Sequence, residues 1–529
     1  MKSTTTLFCF ITSLLTTISL YAQDPTIIWQ KTIGGYYPEF LYDLKETNDG
    51  GYILGGQSYS DISGNKTDPS NGNGDMWVVK VNGNGEIEWQ NAIGGSSDDY
   101  ISSITPTNDE GYIVVGSSES NISGDKTEDS RGDMDYWIVK IDSSGNVEWD
   151  KTIGGDSLDE FPKIVVSMQG DYFICGKSYS NVSGDKTENS VGLIDYWVLK
   201  LNSSGNILWQ DTIGGTDIDV FNEIASTSDG GCILGGGSIS NISGDKTENS
   251  KGGGDYWIVK LDASGTIEWD KTIGGSNNDV LRSIIQTNDG GYLLGGRSRS
   301  GISGDKTEPA IGGIDYWIVK TDAVGSIEWQ NTIGGSEFDD ATSLFQANDG
   351  SYLVGGYSPS NISEDKDENS QGANDYWVMS LNTAGFIEWQ NTIGGSNDDK
   401  LSTFIQTNDG NYVLGGDSSS HISGDKTEYS FGSYDYWILK LNTTLGISDN
   451  EFSKNLTLYP NPAKHTLQLN TNNQQIDQVK IFSVKGDLVQ QVEGFETSKT
   501  IDVSQLASGM YYVQFTAGGQ IATKKFVKE

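Results

Sequence analysis

Histidine is almost missing from this chain: 529 residues hold two, His421 and His465. A serine–histidine triad or a multi-histidine metal centre needs more imidazole than that in one place. Cysteine is as scarce, at three. Cys9 lies inside an N-terminal apolar run. Cys175 and Cys232 take different positions in neighbouring repeats, as buried free thiols or as a disulfide. A chain of this size is held by its core and needs no crosslinks. No apolar run after Leu20 is long enough to span a membrane. Positive charge is short too, with 34 basic residues against 73 acidic ones and a net charge of −39. The imbalance lies upstream: Lys464 to Glu529 carries seven lysines and six acids, so residues 1–463 keep 27 bases against 67 acids. Such a surface repels nucleic acid and anionic lipid, and favours divalent cations.

What is present is a repeat of 60 residues. One tryptophan recurs from Trp29 to Trp389 at that spacing and another from Trp77 to Trp437, together all 14 in the protein. A period this regular is read before any local motif. Within 136–141, Trp137, Val139 and Ile141 alternate with Tyr136, Ile138 and Lys140, which is a strand. Asp142 to Asn146 is a short turn, and Val147 to Ile153 alternates again around Trp149. Ile101 to Thr107 and Gly111 to Gly116 supply two more strands, and most copies carry a hairpin-forming Asp-Gly between them, as at Asp49-Gly50. Each unit is four short strands without a helix.

Four-stranded units in series fit an all-β, seven-bladed β-propeller whose blades bury one another's faces. The first unit begins with only its outer strand, Ile27 to Ile33, and the last lacks a tryptophan-bearing fourth strand. The N-terminal strand is therefore expected to complete the last blade and close the ring. A solenoid is the competing architecture, but it exposes sheet edges and needs dissimilar caps.

In chain order, residues 1–22 read as an export signal: Lys2, an apolar stretch from Leu7 to Leu20, and a small-residue site at Ala22. The repeats occupy 23–445. Recurring Gly34-Gly35 suits a sharp turn between blades, and Gly55-Gly56 suits close packing. A long loop joins the second and third strands of every unit, as at Ser120 to Met134, and such loops are where rigid scaffolds place binding. Residues 446–455 form a linker. Short alternating segments from 456 to 529 read as a small C-terminal β-sandwich.

Residues 456–529 closely resemble the type A C-terminal sorting domain of cargo exported by the type IX secretion system of Bacteroidetes. The resemblance is carried by Tyr459-Pro460-Asn461-Pro462, the hairpin around Gly486, Gly509 and Tyr511 in Leu506 to Tyr511, and the terminal Lys525-Phe526-Val527-Lys528. It implies Sec export, recognition by the type IX machinery, and release or anchoring at the outer surface. The repeats resemble an uncharacterised propeller class found with such domains. Leu261 to Trp269 is also similar to the quinoprotein propeller repeat, without that family's cofactor-holding residues.

Three acids recur in the long loops. The first is Asp125, Asp185, Asp245, Asp305, Asp365 and Asp425. The second is Glu128, Glu188, Glu248, Glu308, Glu368 and Glu428. The third is Asp135, Asp195, Asp255, Asp315, Asp375 and Asp435. In the first unit Asn65 replaces the first acid and Asp68 the second. Carboxylates among hydroxyl and carbonyl oxygens suit a hard cation such as Ca2+, although the spacing is not that of an EF-hand. The alternative is turn architecture, with each acid capping backbone amides. Recurring tyrosines and tryptophans fit packing between units or stacking on sugar rings.

The functional expectation is an exported binding or adhesion module, for glycan or another extracellular macromolecule. A polysaccharide hydrolase or lyase is the alternative, and a structural surface component is the third reading. An enzyme needs unlike acids without counterparts in other units. Seven equivalent shallow sites favour multivalent binding.

Overall fold

In the computed structural model, residues 25–167, 169–442, 456–471, 475–483, 488–495, 498–507, 509–517 and 520–528 are described. The export signal, the linker and the hairpin around Gly486 lie outside them.

The alternation read from the repeat becomes four antiparallel strands per unit. In the first sheet these are Glu39–Glu46, Tyr52–Ser58, Asp75–Val81 and Ile87–Ile93, hydrogen-bonded in that order. Five further sheets repeat the pattern, and the seventh holds Asp399–Gln406, Tyr412–Ser418 and Asp435–Asn442. Its fourth member is the chain's first strand, Thr26–Ile33, antiparallel to Asp435–Asn442. All seven residues of each third strand in the first two sheets are buried, because a neighbouring sheet covers either face.

The fold class read from the sequence needs correction. The hydrogen bonding forms seven separate four-stranded antiparallel sheets, and none closes into a barrel, so the closed seven-bladed β-propeller is not what the strand pairing gives. The 60-residue period reports how many strands pair within a unit. It carries no information on closure, because adjoining sheets meet through side chains and not through a hydrogen-bonded ladder.

Those side-chain interfaces are close-packed. Ile53 and Met76 of the first sheet share a core with Ile101 and Trp137 of the second. The same holds between the seventh and the first, where Tyr436 and Ile438 pack with Leu41 and Trp77. A tyrosine-on-tryptophan contact repeats at most interfaces: the Tyr316 and Trp377 ring centroids are 4.9 Å apart, and Tyr316 OH donates to the Trp377 carbonyl at 3.2 Å. Burying both rings stabilises each interface by several kcal/mol, on the order of 2–3 per large side chain. Glycine is required where backbones close in: a Cβ on Gly56 would overlap the Phe40 carbonyl and the Tyr436 hydroxyl. Cys175 and Cys232 are free thiols buried in one core cluster.

The C-terminal unit is described by itself. A three-stranded sheet (Thr457–Tyr459, Thr466–Asn470, Ser498–Asp502) and a four-stranded one (Leu488–Phe495, Ile476–Ser483, Gly509–Ala517, Gln520–Lys528) share a core of Leu467, Leu469, Val479, Ile481, Val513, Phe515 and Phe526. This is a small β-sandwich. Asn461 of the Tyr-Pro-Asn-Pro segment accepts a hydrogen bond from the Val527 amide at 2.8 Å, and Phe526 stacks on Tyr511 at 5.5 Å.

Candidate functional site

Each long loop is fastened by its three acids, and each acid fastens a different stretch of backbone. Asp125 accepts the Gly94 amide at 3.2 Å, holding the loop to the Gly-Gly link of its own sheet. Glu128 accepts the Thr152 amide at 3.3 Å on the fourth strand. Asp135 accepts the Arg131 amide at the loop's return. The same bonds recur at Asp185, Glu188 and Asp195, at Asp245, Glu248 and Asp255, and on through Asp425, Glu428 and Asp435. Among the described residues, no three His, Cys, Asp or Glu side chains gather as a metal-holding group. The three acids of a loop are thus kept apart, each capping backbone donors.

The loops also hold one another. Asn71 Nδ2 donates to Asp125 at 3.0 Å, Arg131 Nε pairs with Asp185 at 2.7 Å, and Lys251 and Gln371 reach Asp305 and Asp425. Val191 lies beside Gly244, and Phe431 lies beside Gly64. Six of the seven neighbouring loop pairs are joined in this way, and the loops together form a collar.

A second acid missed in the sequence faces Asp135. Four residues after each Gly-Gly stands a buried carboxyl: Glu39, Asp99, Asp159, Asp219, Asp279, Asp339 and Asp399, each 0–1% exposed. Asp159 accepts hydrogen bonds from the Gly155 amide at 2.7 Å and from Ser180 Oγ at 2.9 Å. Every one of these acids lies near the loop-return aspartate of the preceding unit; a Cβ on Gly34 would touch Asp435 and Glu39 together. Asp135 Oδ1 and Asp159 Oδ1 are buried without a hydrogen-bond partner. Burial, opposed by amide bonds and reinforced by the neighbouring acid, pushes Asp135 up to about 6. Burial does the same to Asp99, to about 6, and to Glu39, to about 7. Lys126, buried beside Asp99 and Asp135, is pushed down to about 8 by desolvation. The signal for this pair was in the repeat, as an acid at fixed spacing after Gly-Gly.

The first strands of all seven sheets border one cavity of about 910 Å3. Here the repeat breaks down. Asp43, Ser103, Lys163, Glu223, Ser283, Ser343 and Thr403 occupy a single repeat position. Asp43 and Glu223 are therefore the unlike acids an enzyme would need. Asp43 is saturated: Oδ1 accepts the Leu44 amide and the Lys45 ammonium, and Oδ2 accepts Ser103 Oγ at 2.9 Å and the Ile104 amide at 3.0 Å. Burial works against its charge, but Lys45 and Lys163 hold it below its ordinary value. Burial raises Glu223, against the pull of Lys163. A carboxylate with four donors has little left for a nucleophile's or a base's work. His421 is exposed and lies against Tyr429, at 6.0 Å between ring centroids.

Residues 457–529 match the secretion system C-terminal sorting domain. The chain is thus cargo of the type IX secretion system, exported to the cell surface or beyond, and no helix among the described residues is long and apolar enough to cross a membrane. Over 245 residues the chain is 21% identical to the regulatory protein FlaEY of Caulobacter vibrioides, covering 43% of this chain and 26% of that protein. It spans about a quarter of that relative. Among solved structures it is similar to the Pan2 WD40 domain of Neurospora crassa, at a TM-score of 0.41 and 10% identity, covering 78% of this chain and 95% of that one. The polysaccharide lyase Uly1 aligns with a TM-score of 0.43 and 11% identity, over 80% of this chain and 94% of that one. At this level the likenesses do not extend to activity.

Proposed function

We propose that residues 23–445 act as a multivalent binding or adhesion module, delivered outside the cell by the sorting domain at 456–529. Its partner is an extracellular macromolecule, and its binding surface is the collar of seven equivalent loops. The observation that carries this is the linkage of neighbouring loops by side chains, on a scaffold whose third strands bury Trp77 and its six equivalents completely. Equivalent sites on a rigid support gain avidity from repetition without strong individual contacts.

The test is binding of the exported chain to immobilised glycans and extracellular proteins at graded surface density. A multivalent module dissociates far more slowly as density rises. Dissociation that does not change with density overturns the reading.

The second reading is a polysaccharide hydrolase or lyase, favoured by the unlike acids Asp43 and Glu223 on the cavity wall. Chain cleavage by the exported protein, lost in Glu223→Gln, would establish it in place of the binding module. The bonding around Asp43 argues the other way.

A further inference from the structure

We infer that the collar docks a basic protein surface through seven aliphatic anchors, one on each loop, an inference that rests on reading the collar as the binding surface. The anchors are Ile62, Ile122, Val182, Ile242, Ile302, Ile362 and Ile422, one per 60-residue unit. Each is between 50% and 68% exposed. A single exposed isoleucine needs no explanation, because much of any protein surface is apolar. Seven at one position are different, because the residue just before them changes freely: Asp61, Asn121, Gly301 and His421 all occur there. These side chains contribute little to folding while they face water, since the gain from burying one, about 1.5–3 kcal/mol, is left unrealised.

The anchors are also held in place. The Ile122 amide donates to Asp129 Oδ1, and the Ile242 and Ile362 amides donate to Asn249 and Asn369 Oδ1, each at 3.0 Å. On the other flank, Ser123 Oγ accepts the Ser96 amide at 2.9 Å and donates to the Asn121 carbonyl at 2.8 Å. Ile122, Val182, Ile242 and Ile362 therefore each stand on a turn bonded on both sides. Binding through such a group orders little that is not already ordered.

The chemistry around the anchors selects the partner. An aliphatic group offers no ring face for a sugar to stack on, so the occupant is protein, not glycan. Between the second and third strands, the seven loops carry 19 carboxylates. Against these stand the seven buried lysines at Lys66 and its equivalents, and only Arg131, Lys251 and Arg299 besides. Apolar contacts inside an acidic collar complement aliphatic side chains inside a basic rim. A second copy of this chain would bring the same acidic face and be repelled.

The experiment uses the whole exported chain and two synthetic peptides of equal length and charge, one of lysine and leucine, the other of lysine and serine. One variant replaces all seven anchors with serine and another replaces the six isoleucines with valine. Wild type is expected to bind the lysine–leucine peptide at least about tenfold more tightly, and the serine variant to bind both alike. The valine variant stays within about threefold of wild type. An unchanged unfolding midpoint shows that the serine variant is folded. Equal binding of the two peptides by wild type, or a preference that survives in the serine variant, overturns the proposal. So does anchor-dependent binding to neutral phosphatidylcholine vesicles, or anchor-dependent dimerisation. If density-dependent binding to an extracellular ligand persists unchanged in the serine variant, the anchors fail while the collar reading stands. If density dependence is absent from wild type, both fail.

Discussion

Asp135→Asn tests the paired carboxyls between sheets. Asp135 and Asp159 are each 0% exposed, from adjoining units, and each leaves one oxygen without a donor. Two carboxylates lacking full donor sets repel one another there, so a proton is retained up to about pH 6. Asp135 rises from 3.8 to about 6 in the folded chain, chiefly through burial, then through Asp159. A shift of about two units corresponds to at most about 3 kcal/mol. The sign follows from the folded value lying above the unfolded one. The pair's stabilisation is complete below about pH 4 and is lost as pH climbs through about 6. The other charged groups facing the pair are Lys126, beside Asp135, and Lys186, beside Asp159. Lys126, lowered to about 8, is charged in both states across this window and adds no slope. Asparagine keeps an oxygen for the Arg131 amide and turns a donor toward the unpaired side. The variant should therefore gain about 1–3 kcal/mol over wild type at pH 7 and show a flatter pH dependence between 4 and 7. Unfolding midpoints of the exported chain, taken by calorimetry at one scan rate across that range, measure this. A variant that is less stable at pH 7, or one with the wild-type slope, would refute the reasoning.

Other expectations come from the same geometry. Millimolar calcium should leave the unfolding midpoint where chelation puts it, because Asp125, Glu128 and Asp135 each hold separate amides; a saturable rise would restore the loops as metal sites. Tyr316→Phe removes the hydroxyl that reaches the Trp377 carbonyl and should cost about 1 kcal/mol, read as a small drop in midpoint. Gly56→Ala forces a methyl onto the Phe40 carbonyl and should cost about 1–3 kcal/mol; an unchanged midpoint would mean that the interface can spread. A chain ended before Leu456 should stay in the periplasm, and fractionation of the secreting host would show it.

Much of the fold could be read from the sequence because it depends on local pattern. Trp137 alternating with Tyr136 fixes a strand, and Asp142 to Asn146 fixes a turn. The closed ring expected from the repeat went beyond what a local pattern carries, since Tyr436 meeting Trp77 depends on residues far apart in the chain whose side chains carry no pairing register. The loop acids were visible, but their work was not. Asp135 looks the same on paper whether it holds calcium or the Arg131 amide. Asp159, its partner across the interface, is hard to single out on paper because it opens the first strand of its sheet, away from the loop acids in the sequence. Ile122 lies inside the long loop, and an isoleucine reads as core until its exposure is known. Asp43 and Glu223 share one register position a few units apart, and only the fold brings that position to a common wall.

The pairing of Thr26–Ile33 with Asp435–Asn442 has a consequence for the order of events in export. The earliest strand to emerge is one of the last to find its partner, because some 400 residues must follow before that partner exists. Until then its backbone edge is open, and open edges recruit strangers. Joining the two ends so late raises the sequence separation of native contacts and slows the final step. A chain still threading through the inner membrane therefore lacks its seventh sheet, and it reaches the outer-membrane machinery complete only after translocation has ended.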